Sequence, residues 1–164
     1  MMAKPQQEHE WLQKFVGEWT MEGEAQNCEA GGEPYRSTGT ERVRSLGGLW
    51  VVGEGQGEMP GGGAATTIIT IGYDPATGRY VGTWVGSMMT HLWVYSGERD
   101  ASGKTLTLET EGPDMSPGAP AGKTAKYRDV VTLESDDHRV LKSFAQGPDG
   151  EWHQFMTAHY RRKK

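Results

Sequence analysis

The run from Thr66 to Tyr95, TTIITIGYDPATGRYVGTWVGSMMTHLWVY, constrains this chain more than any other stretch. It reads as three strands in succession, joined by a turn at Asp74-Pro75-Ala76-Thr77-Gly78 and a bend near Gly86-Ser87. A turn with proline early and glycine late, flanked by β-branched and aromatic residues, is the chemistry of a short hairpin connection. The same grammar recurs along the chain. Strands are expected at 19–25, 37–45, 49–58, 104–111, 123–134, 138–146 and 151–161, with glycine-, proline- or aspartate-rich turns between them. Together with the opening run this makes about ten strands in simple succession, and the economical arrangement is an all-β, antiparallel up-and-down barrel, whose closure removes the unpaired edges. A two-sheet sandwich is the alternative.

Before the first strand, HEWLQKFVGEW places Trp11, Leu12, Phe15 and Trp19 three and four residues apart, the spacing of a short amphipathic helix over 8–18. Such a helix would plug or cover one end of the barrel. The expected organisation is a single domain of 164 residues: helix 8–18, barrel 19–161 and a solvated basic tail at 162–164.

Charge and composition exclude several partners. Lys plus Arg number 17 against 22 Asp plus Glu, a formal charge of −5, which opposes the phosphate neutralisation that nucleic-acid binding requires. The 24 glycines are spread among apolar strands and signal turns and bulges rather than a disordered tract. No apolar run approaches bilayer length and the first residues, MMAKPQQEHEW, hold no signal-like apolar segment, so neither membrane insertion nor secretion is expected. A single Cys28 beside acidic residues suits a reducing, cytoplasmic setting and is a poor nucleophile.

Alternation shows which residues share a strand face. Tyr80, Gly82, Trp84 and Gly86 fall on one face, and His91, Trp93 and Tyr95 on one face of the following strand. If these faces meet inside, they form an apolar wall with a few polar tips, suited to a small hydrophobic ligand. The candidate ligand-binding residues are therefore Tyr80, Trp84, His91, Trp93, Tyr95 and, from a later strand, Arg128. The competing reading is that the same aromatics fill a core, leaving a barrel that works through its surface or as a homodimer.

The catalytic alternative uses His91 as general acid or base with Glu109 or Arg128 as electrostatic partner, for an isomerisation or hydrolysis. It depends on Glu109 and Glu111 pointing inward; if Leu106 and Leu108 point inward instead, those carboxylates form a wet outer surface. Gly118-Ala119-Pro120-Ala121-Gly122-Lys123-Thr124 ends like a phosphate-binding loop, but it has three residues between its glycines and leads into a strand. No metal site is expected: His153 and His159 share a face but lie roughly 20 Å apart along an extended strand. No cofactor is expected; the alternative to a hydrogen-bonded core role for His91 is a haem held from one side.

Two features resemble known proteins. Gly17-Glu18-Trp19, between the short helix and the first strand, resembles the Gly-x-Trp signature of calycins, the lipocalins and fatty-acid-binding proteins. HEWLQKFVGEW, GYDPATGRYVGTW, THLWVYSGE, GKTAKYRDV and GPDGEWHQFM together resemble an uncharacterised bacterial family, known as a domain of unknown function. The resemblance implies a calycin-like barrel in which Trp19 packs against Arg161 or Arg162 as a structural cation–π contact. It implies no activity. That family often carries an acidic residue where this chain has Gly86, so no carboxylate-dependent site is implied there.

Overall fold

A computed structural model describes residues 2–26, 32–59 and 62–164. Cys28 lies outside the described residues. Among them, a short helix α1 (Gln7–Leu12) and one 3-10 turn (Gln13–Phe15) precede ten strands: β1 (Gly17–Ala25), β2 (Tyr35–Leu46), β3 (Trp50–Glu58), β4 (Ala64–Asp74) and β5 (Arg79–Gly86). The second half supplies β6 (Trp93–Arg99), β7 (Thr105–Pro113), β8 (Thr124–Ser135), β9 (His138–Gln146) and β10 (Trp152–Arg162). Every neighbouring pair is antiparallel, and β10 returns to β1, so the sheet is a closed up-and-down barrel. The expected barrel is borne out.

Most strand ends fall within two residues of expectation, and three differences bear on the site. The helix ends early, passing into the 3-10 turn and then to an extended Val16, and Gly17, at φ 141°, opens β1 where a Cβ would lie within 2.3 Å of Arg162 Nη1. Glycine alone lets the backbone approach that guanidinium. At the other end of the chain β10 runs to Arg162, which is therefore no solvated tail residue. His91 precedes β6 rather than lying in it.

The helix seals one end of the barrel. Trp11, Leu12 and Phe15 meet Trp19, Val43, Val51, Ile71, Tyr80 and Leu106 in one buried cluster. Leu12, Trp19 and Leu106 retain no exposed surface, and each such side chain contributes about 1.5–3 kcal/mol of burial. Polar groups at this end are paired. His9 Nδ1 accepts from the Gln6 N–H, which leaves Nε2 to carry the proton and donate to Tyr73 O at 3.0 Å. The Trp11 indole N–H donates to Gly103 O at 2.6 Å, tying the helix to the β6–β7 turn.

The contact expected of Trp19 is present with Arg162, 4.3 Å from the ring centre, and Arg139 adds a second guanidinium at 4.6 Å. Arg162 also donates to the carbonyls of Lys14, Val16 and Asp136 at 2.7–3.1 Å, so one side chain joins the 3-10 turn to the β8–β9 turn. Arg162→Ala is expected to cost about 2–4 kcal/mol in urea unfolding, because it leaves charge-assisted bonds unmade and the indole uncovered. A loss under about 0.5 kcal/mol would show that the staple is ornamental.

Candidate functional site

Register decides which faces look inward. Leu106 and Leu108 are buried and lie opposite Val131 and Asp129, so Glu109 and its partner Arg128 take the outer face. There Arg128 Nη2 donates to Glu109 Oε1 at 3.0 Å, and its guanidinium stacks 4.1 Å over Trp152. The catalytic trio expected of His91, Glu109 and Arg128 is therefore not assembled, and Arg128 does not line the interior. Alternation had left the two faces open; buried leucines decide it against the charges.

The aromatic residues fare differently. Trp84 of β5 stands directly opposite Trp93 of β6, and Tyr95 lies one inward step further down, opposite Gly82. Tyr80 is a correction. Its ring packs edge-on against Trp11 and Tyr73, and burial pushes its phenol up to about 12, so it belongs to the plugged end. At the far end, Trp93 meets His91 at 4.7 Å and Tyr127 at 5.2 Å, both edge-to-face. Small residues make room for the indoles: a Cβ on Gly112 would lie 2.3 Å from Trp93 Cζ3, and one on Gly86 2.6 Å from Trp84 Cη2. Trp93 Nε1–H is turned to Met89 Sδ at 3.0 Å, and Tyr127 donates to Pro113 O at 2.7 Å.

The opposite arc is bare. Gly39, Gly53, Gly55 and Gly57 face inward from β2 and β3, where a Cβ on Gly39 would lie 2.5 Å from Gln56 O. These four positions contribute no side-chain bulk to the interior, in contrast to Glu41, Val43 and Val51 nearer the sealed end. The inward positions of the far half, including Gly23, Gly55, Thr67, Trp84, Thr110 and Asp129, keep accessible surface although they point into a closed barrel. That surface lies on the inner face of the barrel. Two polar atoms in this region, His91 Nε2 and Thr110 Oγ1, are buried without a partner among the described residues. Two open concavities lie at the surface: one of about 150 Å³ between Lys14, Lys104 and Asp136, and one of about 220 Å³ bounded by Glu109, Lys126 and Trp152 that reaches in to Thr110 and Tyr127.

Midway down the lumen lies a network that sequence reasoning missed. Asp129 Oδ2 accepts from the Tyr95 hydroxyl at 2.5 Å, and Oδ1 accepts from the Ser143 hydroxyl at 2.6 Å. Burial raises the Asp129 pKa above its ordinary value, against the lowering effect of those two bonds. Burial also raises Tyr95, and the neighbouring carboxylate raises it further. Deeper still, Arg139 of β9 pairs with Glu41 of β2 and stacks 4.2 Å from the Tyr160 ring. The signal was present in the pattern Tyr127-Asp129-Val131-Leu133, where one acid interrupts an otherwise apolar strand face. His138 and His159 also come together, Nε2 to Nδ1 at 3.0 Å, across β9 and β10 on the outer face.

The Asp129 shift has a sign that can be tested. A carboxylate whose folded pKa lies above the unfolded 3.8 binds more protons when folded, so its contribution to stability falls as pH rises through that window. Asp129→Asn removes this titration. The stability of the variant minus that of the wild type is expected to move in the variant's favour as pH rises from about 4 toward neutrality. A pH-independent difference in urea unfolding would refute the assignment.

Solved structures of the same fold share little sequence with this chain. Rv2717c from M. tuberculosis is 11% identical over 98% of this chain and all of that one, 100%, with TM-score 0.66. The S-type phycobiliprotein lyase CPES from Guillardia theta is 13% identical, covering 98% and 99%, with TM-score 0.59. A designed fluorescence-activating barrel, EF1p2_mFAP2b bound to DFHBI, is 12% identical, covering 95% and 99%, with TM-score 0.51. Identities this low establish the fold alone. No protein of curated function matches the chain. The model of a family described as "Protein of unknown function (DUF1579)" matches residues 4–162, and the chain belongs to that family.

Proposed function

We propose that the barrel binds one small, largely apolar molecule in the half of its interior opposite the helix. The observation that carries this reading is the accessible surface kept by inward-facing residues there, beside the buried, partnerless atoms of His91 and Thr110. A lumen lined by aromatic rings with a few converging polar groups is the usual form of a small-molecule site. Trp84, Trp93 and Tyr127 supply apolar contact, while His91, Thr110 and Asp129 orient the ligand. Barrels of the same fold bound to DFHBI, or named as phycobiliprotein lyases, support the reading by analogy. Binding needs no catalytic group. No helix of the described residues is long and apolar enough to cross a membrane.

Nile red, a neutral dye that brightens on leaving water, provides the test. Saturable binding at one site is expected in the wild type. Trp84→Ala and Trp93→Ala should each weaken it by about tenfold, the effect of losing one aromatic contact face. Arg162→Ala, at the sealed end, should bind as the wild type does. Full affinity in both tryptophan variants would refute this placement of the pocket. Native mass spectrometry of freshly purified protein should show a mass excess that denaturation removes.

A further inference from the structure

Interior charges do not balance. The buried Arg139 is matched by Glu41, and Arg99 and Arg162 lie against Trp11 and Trp19 at the sealed end. Asp129 is left with two neutral donors, the hydroxyls of Tyr95 and Ser143. Among the described residues no cation offsets it; the influences acting on its pKa are burial and those two bonds. Each carboxylate oxygen accepts one of these bonds and has capacity for another. An anion in such a place is costly unless a partner supplies charge and donors.

The surrounding groups narrow the partner's chemistry. Trp84, Trp93, Tyr95 and Tyr127 present rings on the same inner surface, and rings attract a cation through their faces as well as an apolar body through contact. A carboxylate ligand would meet two interior acids, Glu41 and Asp129, against one arginine already engaged. A neutral hydrocarbon would leave Asp129 uncompensated. We infer that the lumen takes an apolar, ring-bearing molecule with a protonated amine, whose N–H groups donate to the Asp129 carboxylate held by Tyr95 and Ser143. This rests on the binding reading above and adds the class of ligand.

Three probes of one size separate the possibilities: naphthylmethylamine as the cation, naphthalenemethanol as the neutral analogue and naphthoate as the anion, each titrated calorimetrically at neutral pH. The wild type should bind the ammonium about 10- to 100-fold more tightly than the alcohol, the range of a charge-assisted bond, and the carboxylate weakest. In Asp129→Asn the ammonium should fall to the level of the alcohol, while the alcohol's own affinity stays unchanged and reports an intact lumen. Should the variant not fold, the wild type titrated in acid serves instead. Asp129 then takes up its proton, while the groups facing it, Tyr95 of β6, Ser143 of β9 and Tyr160 of β10, stay neutral and the Glu41–Arg139 pair lies beyond; the preference should fade.

Equal binding of ammonium and alcohol by the wild type would overturn this inference and leave the apolar pocket standing. So would a preference that survives Asp129→Asn or acid. Absence of binding by all three probes and by Nile red would overturn the pocket itself, and this inference with it.

Discussion

Trp19 is the point on which the closed end of the barrel depends. Its ring is fully buried, its N–H donates to Phe15 O at 2.9 Å, and two guanidiniums, from β9 and β10, stack against it. One of these, Arg162, reaches on to the backbone of the 3-10 turn and of the β8–β9 turn. The first strand, the last strand and the entry helix therefore converge on a single indole. A cation–π contact contributes more when it is desolvated, and here both partners are largely out of water.

That arrangement divides the interior. Burying Arg139 requires a counter-ion, which Glu41 supplies, and the pair occupies the lower lumen together with Tyr160. In the far half, tightly coiled glycine strands face an aromatic wall, and this is where the proposed ligand would sit. The contacts of the plug and those of the proposed site are thus drawn from different layers of the same strands.

The shared fold with proteins only 11–13% identical has a simple physical basis. Closure requires alternation, short turns and a plugged end, and many sequences meet those demands. What distinguishes this chain is which side chains its inner positions carry. Here they include Asp129, held by two hydroxyls and, among the described residues, opposed by no arginine. Fold likeness supplies no substitute for reading it.

Much of the barrel was legible from local signals. Turn chemistry at Asp74 to Gly78 and at Leu46 to Gly48 places the hairpins, because proline and glycine act within a few residues of themselves. Alternation correctly grouped Trp84 with its strand mates and Trp93 with Tyr95, since strand period is a property of the backbone alone. Alternation is silent about which face is interior. Only closure, which buries Leu106 and Leu108, turned Glu109 and Arg128 outward and brought Asp129 in beside Tyr95, 34 residues away. Height along the barrel was equally hidden: Tyr80 shares a face with Trp84 yet packs into the plug, because the helix docks at one end of β5. The sequence by itself determined strands, turns and the entry helix, while the Trp19 contact was implied by a family resemblance. The tertiary structure decided inside from outside and sealed end from lumen, because both are set by long-range pairing that no local pattern contains.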